Sequence, residues 1–215
     1  MFTQRLQDWV RAAARRLVTA IHLRGVTPDL LTLTGLAVTV VSAVLVGLGW
    51  LLAGGLVLLF AGFFDILDGA VARVSGKMRP YGAFLDSTTD RYAEVVTYAA
   101  LLYHYVSHSG GELAAMLVGL ALGGSLLVSY VRARAQSLGF RCDGGLLARP
   151  ERVVIIVVGL VFSALLIWAL WVLAVLTNVT ALQRIWLVWR QARGQARAEA
   201  APGHASQRSD AAEGI

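Results

Sequence analysis

The fold of this chain is decided by a segment that reads DILDGAVAR at positions 65–73 and GAFLDSTTD at positions 82–90. The segment places four carboxylates in a chain that is otherwise rich in apolar residues: Asp65, Asp68, Asp86 and Asp90. Side chains three or four positions apart share one face of a helix, so each pair of aspartates points in one direction. Residues 74–81 contain glycine, lysine, arginine and proline, which predict a turn between two helices. The two carboxylate pairs are therefore expected to meet across a helical hairpin.

Four carboxylates close to lipid need a compensating charge, because each costs a few kcal/mol to insert. Hard oxygen ligands on facing helices suit Mg²⁺, or Mn²⁺, and four carboxylates can hold two such ions. The alternative is that the aspartates cap helices or pair with Arg73 and Arg91. That alternative does not explain Gly69, Ala72 and Gly82 at fixed offsets, whereas close helix approach and a bound phosphate require small residues there. We therefore predict a divalent metal site.

The composition is that of a membrane protein. Of the 215 residues, 57% are hydrophobic and only 15% are charged. These values predict an all-α integral membrane fold, since a helix satisfies its own backbone hydrogen bonds in lipid. The single cysteine, Cys142, excludes an intramolecular disulfide and fits a reduced thiol. The net charge of +6 is not arranged as a basic surface interleaved with aromatic residues, so we expect no nucleic-acid partner.

The sequence divides into three parts. Residues 1–27 carry apolar side chains at three- to four-residue spacing and an arginine-rich polar face, which predicts an amphipathic helix lying among lipid headgroups. Residues 28–190 form the predicted membrane domain. Residues 191–215 are rich in alanine, glycine, serine and charge without periodicity, which predicts a disordered tail.

The membrane domain contains six predicted transmembrane helices. Four apolar segments are close to the roughly 20 residues that a spanning helix needs: Leu30–Trp50, Leu51–Val71, Phe84–Val106 and Leu113–Val131. A further apolar tract, Val153–Val188, is too long for one span and is expected to form two. The turn between these last two spans is predicted near Trp168.

The distribution of positive charge predicts the orientation. All but one of the 19 Lys and Arg residues lie before the first span, in the turn of the aspartate hairpin, between the fourth and fifth spans, or from Arg184 onward. The exception is Arg91, inside the third span. By the positive-inside rule, both termini and the aspartate hairpin face the cytoplasm. We therefore predict a multi-pass protein of the cell's inner membrane.

Three arginines form a second group of candidate site residues. Arg132 closes the fourth span, Arg152 opens the fifth, and Arg184 lies near the end of the sixth. We expect them to converge at the cytoplasmic mouth beside the metal site, where they need anionic partners. Lipid headgroups are one interpretation. A phosphate on a substrate is the sharper one, because guanidinium groups bind phosphate bidentately.

The string D-x2-D-G-x2-A-R-x8-G-x3-D-x3-D resembles the signature of the CDP-alcohol phosphotransferases, and every signature position is filled. Members of this family are integral membrane enzymes that make phospholipids from a CDP-linked donor and an alcohol. The resemblance implies that Asp65, Asp68 and Asp86 are metal ligands. It also implies that Asp90 shares the metal site and acts as the general base, a role that its position one helical turn from Asp86 allows.

The resemblance also implies a site for the donor, CDP-diacylglycerol. Its contacts would come from these residues: Asp29, Leu30, Leu31, Thr32, Gly69, Arg73 and Arg79. Glycine lets a nucleotide approach the backbone, and arginine offers a fork to phosphate. Positions 28–32 are also explained as a helix N-terminus. Arg79 stands where related enzymes often have a smaller residue. A homodimer is implied by the resemblance alone.

Three motifs resemble the branch of the family that uses inositol phosphate as the acceptor: SYVRARA at 129–135, RPER at 149–152, and QR at 183–184. The leading prediction is therefore a Mg²⁺-dependent transfer of a phosphatidyl group to 1D-myo-inositol 3-phosphate, with release of CMP. Glycerol-3-phosphate is the alternative acceptor and would give phosphatidylglycerol phosphate. A divalent-cation transporter is a remote alternative, because the aspartates cluster at one face of the membrane instead of lining a path through it.

Overall fold

The structure, a computed structural model, describes residues 27–74, 79–109, 111–142 and 144–199. These residues form six α-helices: α1 (Pro28–Gly47), α2 (Leu51–Val74), α3 (Pro80–His104), α4 (Glu112–Ser137), α5 (Arg149–Val161) and α6 (Leu166–Glu199). A π-helical turn, Tyr105–Ser109, extends α3, and a short 3-10 turn joins α5 to α6. The described ranges contain no β-strand, so the all-α prediction is confirmed.

Two of the sequence-based segments fall partly or wholly beyond these ranges. The predicted amphipathic helix lies outside the described residues, apart from Thr27. The predicted tail begins at residue 191, but α6 continues to Glu199, so the first part of that tail is helical. The remainder, 200–215, lies outside the described residues.

Proline and glycine define where several helices begin and end. Proline occupies the first turn of α1, α3 and α5, where a missing backbone N–H is tolerated. The side chain of Thr27 caps α1 by accepting a hydrogen bond from the amide of Leu30. After α1, Gly49 adopts a positive φ of 87°, and its amide bonds to the carbonyl of Val46. These local signals place the turns that the hydrophobic pattern predicts.

The outer surface of the bundle has the character of a membrane protein. By length and composition, α1, α4 and the stretch Ser163–Gln195 are able to cross a membrane, and α2 carries a shorter apolar stretch, Leu51–Asp65. Large apolar side chains on the outer faces are well exposed, such as Leu182 at 66%. A soluble protein rarely exposes so much contiguous apolar surface, so lipid is the natural neighbour of these faces.

The break between α5 and α6 lies earlier than the sequence predicts. Phe162 leaves the helical conformation (φ −108°, ψ 81°) and the 3-10 turn Ser163–Leu165 follows, whereas Trp168 lies inside α6. The prediction of a turn near Trp168 is therefore wrong. Gly159 explains the position: a Cβ there would lie 3.0 Å from the side chains of Ala169 and Leu166, so the glycine lets α6 fold back closely onto α5.

The helices pack in a ring of neighbours. Helix α1 packs against α2 and α3, α2 also packs against α5, and α6 packs against α4 and α5. Fully buried residues at the centre include Tyr98, Leu101, Leu117, Leu160 and Leu170. Small residues set the closest approaches. Ser42, for example, donates a hydrogen bond of 2.7 Å to the carbonyl of Gly54 across α1 and α2.

The contact between α4 and α6 gives a first prediction. A Cβ at Gly124 would lie only 2.1 Å from Oγ1 of Thr177, so Gly124→Ala should separate these helices and cost about 1–3 kcal/mol of stability. Gly123 is the matched control on the same helix, because a Cβ there meets nothing within 4 Å. Gly123→Ala should be neutral or stabilising, by up to about 1 kcal/mol. Thermal unfolding in detergent measures both, and equal melting temperatures would contradict the prediction.

Candidate active site

Three of the four signature aspartates meet between α2 and α3. One carboxylate oxygen each from Asp65, Asp86 and Asp90 lies within 4.8 Å of the other two. Asp65 is on α2, while Asp86 and Asp90 are one turn apart on α3, so the two helices of the hairpin bring them together. The predicted meeting of carboxylates across the hairpin is thus confirmed for these three residues. Asp68 is also on α2, but its side chain lies outside the described part of the structure.

The carboxylate cluster is graded in depth. The Asp65 side chain is 38% exposed, whereas that of Asp90 is 13% exposed. Asp90 is also the aspartate farthest along α3 from its N-terminus at Pro80. Solvent therefore reaches the Asp65 side of the cluster more easily than the Asp90 side. An all-carboxylate set of this kind fits a hard divalent cation such as Mg²⁺ or Mn²⁺.

Arg149, at the start of α5, contacts the cluster directly. Its guanidinium donates to Oδ2 of Asp65 and pairs with Oδ1 of Asp90, both at 2.7 Å. Burial alone would lower the pKa of Arg149, but the carboxylates of Asp90 and Asp65 outweigh it and raise that pKa above its ordinary value. Arg149 belongs to the RPER motif at 149–152, but its sequence position gives no sign that it reaches the aspartates.

A second buried ion pair lies one turn deeper on α3. Arg152 approaches Oε1 of Glu94 through Nη2 at 2.5 Å and Nε at 3.2 Å, and its Nη1 donates to the carbonyl of Leu147. Both side chains are almost completely buried, at 3% for Arg152 and 7% for Glu94. The partner of Arg152 is therefore a carboxylate of the protein, which neither interpretation of the sequence considered.

The three arginines that were predicted to converge on a phosphate are not exposed together at one opening. Arg132 is exposed at the end of α4. Arg184 is buried, and it donates to the carbonyls of Gly144 (2.9 Å) and Val128 (2.7 Å), which ties the α4–α5 loop to α4 and α6. The backbone and Glu94 thus hold two of these guanidinium groups. Long-range partners of this kind leave no periodic signal in the sequence.

Among the donor-side residues that the structure describes, Asp29 and Thr32 lie near the aspartate-bearing helices. Asp29 faces the aspartate-bearing helix α3, because a Cβ at Gly82 would lie 3.5 Å from its Oδ1. Thr32 is buried in the first turns of α1, Leu30 is exposed and Leu31 is buried. Arg79 is exposed at the N-cap of α3. Gly69 and Arg73 lie on α2, and the side chain of Arg73 is outside the described part of the structure.

A cavity of about 830 Å³ adjoins the cluster. Asp65, Asp90 and Arg149 line one end, and Glu94 lies along its wall. The remaining lining is mostly apolar and comes from α1, α2, α3 and α5, including Leu36, Leu59, Val153 and Val157. The cavity thus joins a strongly acidic end to a long apolar wall, a shape that suits an amphipathic ligand with a charged head.

The chain matches the sequence model of CDP-alcohol phosphatidyltransferase over residues 25–189. This match covers well over half of the chain, so the chain belongs to the CDP-alcohol phosphatidyltransferase family. The family predicted from the aspartate signature is therefore confirmed.

Several characterised proteins are similar to this chain. The phosphatidylinositol phosphate synthase of Mycobacteroides abscessus is 39% identical over 176 residues, which cover 79% of this chain and 80% of that protein. The phosphatidylinositol phosphate synthase of Mycobacterium tuberculosis is 37% identical over 192 residues, covering 83% and 88%. The archaetidylinositol phosphate synthase of Methanothermobacter thermautotrophicus is 38% identical over 188 residues, covering 84% and 93%.

The fold is also similar to solved structures of a phosphatidylinositol phosphate synthase. The crystal structure of the M. tuberculosis phosphatidylinositol phosphate synthase with CDP-DAG bound has a TM-score of 0.76 and 33% identity, covering 82% of this chain and 93% of that one. The same enzyme in complex with manganese and citrate has a TM-score of 0.78 and 34% identity, covering 82% and 88%. The helical arrangement described above is therefore that of a known phosphatidyltransferase.

Proposed function

We propose that this chain transfers a phosphatidyl group from CDP-diacylglycerol to an inositol phosphate, releasing CMP. The observation that carries the proposal is the cluster of Asp65, Asp86 and Asp90 at one end of a largely apolar cavity. The relatives named phosphatidylinositol phosphate synthase and archaetidylinositol phosphate synthase support inositol phosphate as the acceptor.

The donor is proposed to bind with its two parts in different surroundings. The apolar wall between α1, α2, α3 and α5 would shelter part of the diacylglycerol moiety. The cytidine and pyrophosphate would lie towards the N-terminus of α1 and the hairpin, near Asp29, Thr32 and Arg79 and the signature residues Gly69 and Arg73. In support, Asp29 and Gly82 already face each other there.

The chemistry requires the acceptor hydroxyl to lose its proton as it attacks the phosphorus on the diacylglycerol side, with CMP as the leaving group. Asp90 is the proposed base, because it is the most sheltered of the three clustered carboxylates whose exposure is described and lies on the cavity wall. Two divalent ions, Mg²⁺ or Mn²⁺, held by Asp65, Asp68, Asp86 and Asp90, would supply charge stabilisation when bound. The structure of the relative with manganese supports this metal dependence.

The acceptor phosphate is proposed to bind to Arg132, Arg152 and Arg184. Arg132 is exposed near the end of α4, whereas Arg152 and Arg184 are buried and less accessible to a phosphate. The assignment of all three to the phosphate follows from the motifs that resemble the inositol-phosphate branch. Removing Arg152 together with its partner Glu94 tests whether Arg152 binds the phosphate or has a purely structural role.

The same proposal includes a location and an assembly. Six membrane spans with the aspartate cluster on the cytoplasmic side of the cell membrane would follow from the charge distribution, and the apolar outer faces support a membrane setting. A homodimer is proposed on the family resemblance alone. Accessibility of single introduced cysteines to an impermeant reagent tests the orientation, and mass measurement in nanodiscs tests the dimer.

The test of function is CMP release by the purified protein from CDP-diacylglycerol with a panel of acceptors. We expect turnover with inositol phosphate, far less with free inositol or glycerol-3-phosphate, complete loss in EDTA, and recovery on adding Mg²⁺. Preference for glycerol-3-phosphate would replace the acceptor and keep the enzyme class. Turnover that survives thorough chelation would reject the metal site.

A further inference from the structure

Arg149 connects the two sides of the aspartate hairpin from a third helix. Its guanidinium is 2.7 Å from Oδ2 of Asp65 on α2 and 2.7 Å from Oδ1 of Asp90 on α3. These are two of the three carboxylates whose oxygens lie close enough to share a metal ion. The side chain is 26% exposed, so both contacts are partly shielded from water. Arg149 therefore occupies one oxygen on each of two candidate metal ligands.

A divalent ion and this guanidinium compete for the same two carboxylates, Asp65 and Asp90. Like charges a few ångströms apart repel strongly where water is partly excluded. One guanidinium neutralises only part of three carboxylates, whereas divalent ions neutralise them fully. The Nε atom of Arg149 is buried without a hydrogen-bond partner among the described residues, so only its two terminal nitrogens are committed to the carboxylates.

We propose that Arg149 is a built-in counter-cation, which divalent ions must displace from Asp65 and Asp90 before they occupy the site. It stabilises the carboxylates when no ion is bound and weakens the apparent affinity for the ion. The inference rests on the metal site of the proposed function. It adds a residue that sets how tightly that site holds its ions.

Arg91 provides a matched control on the same cluster. Its Nη1 is 3.6 Å from Oδ2 of Asp90, its side chain is 37% exposed, and it also donates to the carbonyl of Ser87 on its own helix. Removing Arg91 changes the net charge as much as removing Arg149 does. The loss of Arg91 leaves the contacts of Arg149 with Asp65 and Asp90 in place, and water screens the more exposed Arg91 more effectively.

The experiment measures Mn²⁺ binding to the purified full-length protein without substrates, by counting free Mn²⁺ with electron paramagnetic resonance. Arg149→Gln should bind Mn²⁺ about tenfold more tightly than wild type, whereas Arg91→Gln should stay within about twofold of wild type. Without metal, Arg149→Gln should melt at a lower temperature than wild type, and saturating Mn²⁺ should remove most of that difference. A purely structural arginine would lower the melting temperature without tightening Mn²⁺ binding.

Two further outcomes decide the inference. Arg149→Lys keeps the charge but cannot bridge two carboxylates with a planar fork, so it should bind Mn²⁺ more tightly than wild type, and this comparison is available even if Arg149→Gln fails to fold. Where Arg149→Gln folds, the lysine variant should bind Mn²⁺ less tightly than the glutamine variant. Unchanged or weaker Mn²⁺ binding in the Arg149 variants, with normal binding by wild type, would overturn this inference alone. Absence of Mn²⁺ binding by wild type would reject the metal site and the inference together.

Discussion

Asp90→Asn should retain CDP-diacylglycerol binding and lose kcat by about 10² to 10⁴, the usual range for removal of a general base. The amide has nearly the same shape as the carboxylate and keeps an oxygen that accepts a hydrogen bond from Arg149, which contacts Asp90 in the wild type. Packing should therefore change little. What is lost is the ability to accept the proton of the attacking hydroxyl. Single-turnover kinetics with saturating donor and acceptor measure this loss.

Two controls give the Asp90 result its meaning. Mn²⁺ affinity must be measured in the same variant, because Asp90 is also a proposed ligand. If metal and donor binding are lost together, the role of Asp90 is ligation and not proton transfer. Glu151→Gln removes an exposed carboxylate from the first turn of α5, beside Arg149, and should leave kcat within about twofold of wild type. A near-normal kcat in Asp90→Asn would place the base elsewhere.

The aspartate cluster could be predicted because local geometry determines most of it. Spacings of three and four put carboxylates on one helix face, and one proline and one glycine mark the turn between the helices. Helices α2 and α3 both pack against α1, and the oxygens of Asp65, Asp86 and Asp90 meet as the hairpin predicts. The helix starts at Pro28, Pro80 and Arg149 each have a proline in the first turn and follow from equally local rules.

The contacts of Arg149 and Arg152 with carboxylates could not be predicted in the same way. Arg149 and Arg152 are three positions apart and lie on neighbouring parts of one helix face, so the sequence does not show which of them reaches the aspartates. The answer depends on how deeply α5 is set against α3. Arg149 meets Asp65 and Asp90, while Arg152, one turn further, meets Glu94. The rotation and depth of a helix are set by packing, which has no local signature.

The predicted position of the break between α5 and α6 was wrong for a related reason. A uniformly apolar tract gives no change in hydropathy at the turn, and the expected position was its midpoint. The useful signal was Gly159, whose missing side chain makes room for Leu166 and Ala169 after the chain reverses. Its meaning becomes visible only when both helices are in place.

The buried pair of Glu94 and Arg152 gives the second large expected effect. Arg152→Ala should destabilise the protein by about 3–5 kcal/mol, because it leaves the carboxylate of Glu94 buried without its counter-charge. Oε2 of Glu94 already lacks a partner among the described residues, so the loss is not compensated nearby. The double variant Glu94→Leu, Arg152→Met removes both charges and should recover most of that stability. Thermal unfolding compares the three proteins, with Glu151→Gln as the exposed control.

The double variant then distinguishes structure from binding. If Arg152 contacts the acceptor phosphate in the bound state, the double variant should have a KM for inositol phosphate that is raised by about 10- to 100-fold. Its KM for CDP-diacylglycerol should change little, because the charged hydrogen bond is lost to one substrate only. A double variant that is stable and has a normal KM for the acceptor would make the pair purely structural. The phosphate would then have to be bound by the exposed Arg132 and by groups nearer the aspartates. Neither Arg152→Ala nor the double variant changes Asp90 or Arg149. A normal KM for the acceptor would therefore leave the assignment of Asp90 as the base unchanged.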